Sequence, residues 1–431
     1  EFDPKSTCMA GSYLHQGNLF GMTALSSLDN FSQLEQHRLI YESLVKLTLH
    51  EVGHTLGLNH NFFASNLHSL QNIHDRNITE PVGLTSSVMD YVSANVNKDS
   101  KHHGQFYSTT PGPYDIWAIQ FGYTPPLENS LEEKMRTESL LSQSTKKEFG
   151  FGNDADDMRS PGKGIDPRVM IGDMSDDPVG YAQDRMDHVR SLYHGLRKRY
   201  EKKGESYHAF SDAISILNRE YSSAATVISR YIGGVFLDRS LVGQQYREKP
   251  FTPVPETQQK WAMTLLKKYI FSPTAFKMPE GIFDHLQWER RGFSGTNDPK
   301  IHDQFLGVQK GILNHLLHIN VVKRISDSEM YGNSYGLSAM MSDLTDACFS
   351  ADFGTNVNTV RRNLQIEYTE RLIRIVQNKG KVKYDHITVS FAFDNLGKVQ
   401  KYLAKIQGVD DATKAHRKYL TYRIKKSLDL L

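Results

Sequence analysis

The sequence predicts a mainly α protein, α+β overall, in which a region of short and irregular elements precedes a large helical region. Three observations lead to this prediction. The chain has 431 residues, which is too many for one compact core and favours two to three domains. Its composition, 39% hydrophobic and 23% charged, is that of an ordinary globular protein. Apolar residues recur at helical steps through most of the second half.

The chain divides into three predicted parts, which are residues 1–125, 126–178 and 179–431. The first part begins with a loop that includes a short strand near residues 11–14. A helix then runs over 32–56, because apolar residues recur mostly at helical steps and Gly57 is a natural helix terminator. Turn signals mark the segment that follows, up to a short helix that begins after Pro113.

The remaining two parts hold one connecting helix and then a series of helices. The connector contains a helix over 127–143 and a loop over 149–178 that is rich in aspartate and glycine. The third part is predicted to form helices at 179–203, 207–233, 256–270, 302–318, 336–349, 357–378, 393–407 and 411–429.

Charge and hydropathy exclude several classes of partner. The net charge of +2 comes from 51 basic and 49 acidic residues, so neither nucleic acid nor an anionic membrane is expected as a partner. No apolar run is long enough to cross a bilayer, and the start lacks the pattern of a signal peptide. Cys8 and Cys348 could pair, although two free and mostly buried thiols is the simpler interpretation.

The segment HEVGHTLGLNH, which begins at His50, indicates a zinc site. His50 and His54 are four residues apart in the predicted helix, so both imidazoles can reach one ion. Gly57 lets the backbone turn, and His60 can return to supply a third nitrogen. Three imidazoles leave one tetrahedral position open, as in catalytic zinc sites, and Glu51 lies where it can act as the general base. The alternative is a polar helix face with a coincidental third histidine.

A second segment, SSVMDY at residues 86–91, supports the first. Together the two segments resemble the metzincin metallopeptidases, which combine the extended zinc motif with a methionine-containing turn beneath the metal. The resemblance implies that Met89 forms a hydrophobic floor under the three histidines. It also implies that Tyr91 ligates the zinc or stabilises the oxyanion. Without the resemblance, both residues would be ascribed to packing or hydrogen bonding.

Further segments are similar to the bacterial Met-zincin family, namely GPYDIWAIQFGY, the aspartate-rich loop and YIGGVFLDRS…PFTPVPETQQ. This resemblance implies a zinc metalloendopeptidase with one catalytic zinc ion, a metzincin-like zinc domain and a peptide or protein substrate. It also implies an exported protein, periplasmic, cell-surface or secreted, with other domains N-terminal to this one. Metzincins place a mixed sheet before the zinc helix, and its edge strand binds substrate. Few residues before His50 read as strands, so we expect that sheet to be truncated, absent or upstream.

Two other functions remain open from the sequence. One is a peptide-binding or scaffold protein that keeps a zinc site with weak or no turnover. The other is a zinc hydrolase that acts on another amide or ester, which the zinc motif alone permits.

The aspartate-rich loop raises a separate question about calcium. Its carboxylates could bind that ion, but their spacing does not match an EF-hand, and a solvated loop of turn-forming residues is the preferred interpretation. The residues concerned are Asp154, Asp156, Asp157, Asp166, Asp173, Asp176 and Asp177. For His102 and His103, a polar loop is likewise preferred to a second metal site.

Overall fold

The computed structural model describes residues 8–27, 32–98, 104–157, 161–245, 247–289, 296, 298–381, 383–405 and 408–429. The predicted polar loop with His102 and His103 lies outside these residues. Helices dominate the described part of the chain, which confirms the mainly α fold. None of its helices is both long enough and apolar enough to span a bilayer.

Helices occur along the whole length of the described chain. Those of the first half are α1 Ala10–Ser26, α2 Gln33–Thr55, α3 Arg76–Val82, α4 Pro113–Tyr123, α5 Ser130–Leu141, α6 Asp154–Asp157, α7 Pro178–Tyr200 and α8 His208–Arg230. Those of the second half are α9 Glu256–Leu266, α10 Ile301–Leu316, α11 Ile319–Ser328, α12 Leu337–Phe349, α13 Thr359–Gln377, α14 His386–Leu403 and α15 Asp411–Leu428.

Shorter elements complete the described structure. A π-helical turn, Lys267–Phe271, continues α9. The 3-10 turns are Ala64–Asn66, Ser142–Thr145, Lys147–Phe149, Phe283–His285, Glu329–Tyr331 and Ser350–Asp352. Two strands, β1 Val235–Leu237 and β2 Phe251–Pro253, form an antiparallel pair in which Phe236 lies opposite Thr252.

After residue 178, two helices differ from the prediction. The helix α11 was not predicted, and α14 begins at His386 instead of residue 393. Both segments start with β-branched residues, which lower helix propensity slightly. Burial of Val321, Val322 and Ile325 against the core overrides that preference in α11, and the side chain of His318 caps its first turn.

The predicted strand near residues 11–14 is wrong, because these residues lie in α1. Leu14, Gly17, Phe20, Gly21 and Ala24 recur at helical steps and are buried. A Cβ at Gly21 would come within 2.8 Å of a methyl group of Leu39, so the glycine lets α1 pack closely on α2. Tertiary burial thus overrides the low helix propensity of glycine and serine. In the described residues before His50 there is no strand.

The helix predicted over 32–56 is confirmed as α2, with Ser32 accepting a bond from the amide of Leu34 at its start. Its buried face is not the expected apolar one. Leu34 and Leu44 are 72% and 57% exposed. The face turned inward is made of Leu39, Glu42, Ser43, Lys46, His50 and Gly53. The helix therefore buries polar and charged side chains, among them that of His50.

The main apolar core runs from Leu14 of α1 to Ile424 of α15 and includes most of the helical region. Within it α7 packs on α8, α8 contacts α1, and α12 to α15 pack on one another. Two small apolar clusters lie among the loops that follow α2. The core thus connects the helical region with α1 and α2, while the division at residues 125 and 178 stays a prediction.

Candidate metal centre

The end of α2 brings a third histidine back toward the helix. Gly57 has a φ of +83°, which other residues rarely adopt. Its amide donates to the carbonyl of His54 at 3.0 Å, and the next amide closes the longer bond of a Schellman motif. The chain then turns so that the ring of His60 lies 4.9 Å from that of His54 and 5.4 Å from that of His50. The three rings form one cluster.

Each of these histidines makes a hydrogen bond through Nδ1. His50 Nδ1 donates to the carbonyl of Val88 at 2.8 Å, and His54 Nδ1 donates to a carbonyl of the helix end at 3.0 Å. His60 Nδ1 lies 2.6 Å from a carboxylate oxygen of Asp154. Such partners place the proton on Nδ1, orient the ring and leave Nε2 as the ligand atom.

The donor set fits a zinc ion. His54 Nε2 is buried and makes no hydrogen bond to any described residue, whereas buried polar atoms normally have a partner. Burial, together with the charge of Lys46, lowers the pKa of His50 to about 3, which keeps its imidazole neutral. The ligand atoms of His50, His54, His60 and Cys8 all lie within 4.8 Å of one another.

Cys8 is the member of this cluster that the sequence did not indicate. Its Sγ lies 3.4 Å from His50 Nε2 and donates to the carboxylate of Glu51 at 3.4 Å. The hydroxyl of Tyr91 is 3.3 Å away. Burial raises the pKa of this thiol. Both Cys8 and Cys348 are free, so the pairing that the sequence left open does not form.

The segment 86–91 passes beneath α2. Met89 is fully buried there, and a Cβ at Gly53 would come within 2.4 Å of its Sδ. The glycine between the first two histidines therefore allows the methionine to lie directly against the helix. Met89 thus lies against α2 at the glycine between His50 and His54.

Buried charged side chains hold this turn in place. Asp115 of α4 accepts from Ser87 Oγ at 2.5 Å and from the amide of Val88 at 2.8 Å. Lys46 Nζ donates at 2.6 Å to the carbonyl of Val88, which also accepts from the first histidine. Burial lowers the pKa of Lys46 to about 8 and raises that of Asp90 to about 7, while each charge favours the other.

Tyr91 and Glu51 lie close to the histidine cluster, Tyr91 beside His60 and Glu51 beside Cys8. The hydroxyl of Tyr91 is 2.8 Å from His60 Nε2 and accepts from the amide of Met9 at 3.0 Å. The ring of Tyr13 stacks on that of Tyr91 at 5.1 Å. Glu51 is exposed at the rim of α2. Both predicted catalytic residues are thus next to the ligand atoms.

The aspartates of the loop 149–178 contact different partners. Asp154 contacts His60, and the carboxylates of Asp157 and Asp166 pair with different arginines. Asp157, Asp166 and Asp173 are almost fully buried, so the prediction of a solvated acidic loop is wrong for these three residues. Arginine and backbone amide partners replace the lost water for the first two of these carboxylates.

Helices α7 and α8 support the chain that leaves the turn. Arg185 of α7 donates to the carbonyl of Ala94 at 2.7 Å, and Glu220 of α8 accepts from Ser93 Oγ at 3.1 Å. A cavity of about 540 Å³ lies farther along these helices, lined in part by Tyr193 and by residues of α10. Its lining residues include no member of the histidine cluster.

The structure brings the predicted residues together and adds partners that the sequence analysis did not single out. These are Cys8, Lys46, Asp90 and Asp115. Lys46 carried a signal, because it precedes His50 by four residues and so shares its face of the helix. Cys8 and Asp115 are distant in sequence from the motif, and no spacing rule links them to it.

Comparison with known proteins gives one result. No curated protein and no solved structure matches the chain. The model of the Met-zincin family matches residues 32–354, which is most of the chain and includes α2, the turn at 86–91 and the aspartate-rich loop. The family implies zinc and a metallopeptidase of the metzincin type, and the site has the donor set for that ion. The chain therefore belongs to the Met-zincin family.

Proposed function

We propose that the protein is a zinc metalloendopeptidase in which His50, His54 and His60 bind one zinc ion and Glu51 is the general base. The observation that supports this most strongly is the histidine cluster, in which every Nδ1 is engaged and the buried Nε2 of His54 has no partner among the described residues. A zinc ion there would supply a Lewis acid that lowers the pKa of water from about 15.7 toward about 7 and polarises the scissile carbonyl.

The side chains around the cluster are arranged for peptide hydrolysis. The carboxylate of Glu51 takes the proton of the attacking water and carries it to the leaving amine. The Sγ of Cys8 is 3.4 Å from both His50 Nε2 and this carboxylate. A water molecule at that position would therefore be within reach of the carboxylate. The hydroxyl of Tyr91, 2.8 Å from His60 Nε2, donates to the developing oxyanion.

Two further parts of the proposal rest on the family. We propose a peptide or protein as substrate, because metzincin-type enzymes hydrolyse peptide bonds. We also propose an exported bacterial protein, as the resemblance to the bacterial Met-zincin proteins implies. Fractionation of the source cell tests this last point, and a protein confined to the cytoplasm would contradict it.

A second candidate function has a specific observation in its favour. Cys8 adds a fourth protein donor to the cluster, and four protein ligands are typical of structural zinc sites. The chain would then be a zinc-containing peptide-binding or scaffold protein. The positions of Glu51 and Tyr91 favour the peptidase, because a structural site needs neither a general base nor an oxyanion donor.

Zinc binding tests the proposed site first. We expect the metal-free chain to take up one equivalent of zinc, and His54→Ala to weaken binding by more than about 100-fold, since losing even an outer partner costs 10- to 100-fold. Exposed His386→Ala is the matched control and keeps the affinity of the parent. The zinc-loaded protein should also cleave a mixed peptide library, and a chelator should stop the cleavage. Zinc uptake without cleavage, also in Cys8→Ala, would favour the scaffold function.

A further inference from the structure

We propose that Cys8 is a fourth ligand of the zinc ion and closes the position that the attacking water needs, so that the protein is held latent. The proposal rests on the zinc site of the proposed function and adds to it a ligand and a resting state. It is carried by the position of one sulfur atom among the three histidines, the base and the tyrosine.

The distance from Cys8 to His50 matches that between two ligands of one tetrahedral ion. With a Zn–S bond of about 2.3 Å and a Zn–N bond of about 2.0 Å, the sulfur and nitrogen of one site are about 3.5 Å apart. Cys8 Sγ lies 3.4 Å from His50 Nε2, and its distances to the ligand atoms of His54 and His60 are within 4.8 Å. The thiol therefore lies at the spacing of a zinc ligand from His50 and close to the other two nitrogens.

The same atom occupies the place of the nucleophile. A water that Glu51 activates must lie next to its carboxylate and next to the ligand nitrogens at once. Cys8 Sγ meets both conditions, because it donates to Glu51 Oε1 at 3.4 Å. When the site is loaded, the S–H bond breaks, the sulfur binds zinc, and the proton passes to Glu51 and on to solvent. Water and thiolate cannot occupy this position together.

The folded chain holds Cys8 at this point. The amide of Met9 donates to the hydroxyl of Tyr91 at 3.0 Å, and Ala10 packs in a small cluster with Phe62 and Tyr91. Tyr13, one turn into α1, stacks on the ring of Tyr91. Because α1 is packed on α2, the sulfur is presented by the start of an anchored helix.

Release of the thiolate would open the site without unfolding it. The three histidines belong to α2 and to the turn that ends it. Cys8 lies in a separate segment, two residues before the start of α1. Its removal leaves the Nδ1 partners of all three histidines in place. Cys348 provides a matched control, because it is the second free thiol and is fully buried in α12.

X-ray absorption at the zinc edge tests the ligand directly. The zinc-loaded full chain should show three nitrogens and one sulfur at about 2.3 Å, and Cys348→Ala should keep that sulfur. Cys8→Ser should lose it and keep bound zinc. Alkylation of Cys8 by iodoacetamide should be at least about tenfold slower with zinc than after chelation. If the thiolate binds zinc in about nine molecules of ten, only about one molecule in ten has a free thiol that can react.

The rate of peptide hydrolysis tests whether the protein is latent. Cys8→Ala should hydrolyse peptides about tenfold or more faster than the parent chain, for the same reason of population. Zinc bound without sulfur, with equal alkylation rates in its presence and absence, overturns this inference and leaves the proposed function standing. A chain that binds no zinc overturns both. A zinc–sulfur bond with no gain of hydrolysis in Cys8→Ala overturns latency and favours the scaffold function.

Discussion

The helices α2 and α12 bury faces of opposite character, polar in α2 and apolar in α12. Helix α12 turns inward an apolar face made of Leu337, Met340, Met341, Leu344, Ala347, Cys348 and Phe349. Helix α2 turns inward Glu42, Lys46 and His50, and leaves Leu34 and Leu44 largely exposed. Hydrophobic burial accounts for the position of α12. In α2, hydrogen bonds and charge pairing within the fold account for the buried face, because each of these three side chains has a partner there.

This difference shows that a helix at a candidate metal site does not follow the apolar pattern of a core helix. A helix that holds metal ligands must face inward with polar side chains, and the surrounding loops must then supply partners for them. The carbonyl of Val88 shows how this is done, since it accepts from both Lys46 and His50. The comparison predicts that α2 and α12 respond differently to substitution.

The largest effect on stability is expected at Lys46. Lys46→Met removes a buried charge and leaves Asp90 and Asp115 without its field, so the free energy of unfolding should fall by about 3–5 kcal/mol. It should also weaken zinc binding, because Val88 loses one of the two groups that position its carbonyl. Denaturant unfolding of the metal-free protein and a zinc titration measure the two effects.

Two leucines complete this test. Leu344→Ala in α12 should cost about 2–5 kcal/mol through a core cavity and leave zinc affinity unchanged. Leu44→Gln, on the exposed face of α2, should change stability by less than about 0.5 kcal/mol. A large loss at Leu44 together with a small loss at Lys46 would reverse the comparison and refute it.

A smaller effect is the dependence of stability on pH that a buried histidine of the helical region produces. His315 of α10 is buried beside Arg230 and Arg324, and burial first, then these charges, lowers its pKa to about 3. The unfolded chain, with a pKa near 6.5, binds the proton more readily, so stability is lost as pH falls below that value. His315 alone should contribute about 2 kcal/mol to this loss between pH 7 and pH 5.

Urea unfolding at the two pH values measures this dependence. His315→Gln should reduce it by about 2 kcal/mol, because the substituted side chain does not titrate, and exposed His386→Gln is the matched control. An unchanged pH dependence in His315→Gln would contradict the assignment. The test leaves the zinc site untouched, because His315 lies in the helical region.

The helical region was largely predictable from sequence, whereas much of the first part was not. Most helices after residue 178 lie close to their predicted bounds, because apolar residues at helical steps face one extended core. The prediction failed at α1, where Gly17 and Gly21 allow close packing that propensity alone does not favour. It also failed for the exposed face of α2, whose leucines follow the helical period without being buried.

The candidate site was predictable where its residues are close in sequence. His50, Glu51, His54 and His60 belong to one motif whose spacing follows from helix geometry and from the turn at Gly57. The partners Cys8, Asp115 and Asp154 reach the site from other segments of the chain, and only the folded structure brings them there. A single sequence gives no rule for contacts of that separation.

The most direct test of the central claim compares Glu51→Gln with its parent, both as zinc-loaded Cys8→Ala chains. The account predicts that zinc content is unchanged and that peptide hydrolysis falls by about 10²- to 10⁴-fold, the usual contribution of a general base. Exposed Glu138→Gln, on α5, should keep full activity as the control. Hydrolysis that persists at the parent rate in Glu51→Gln with zinc bound would contradict the proposed mechanism.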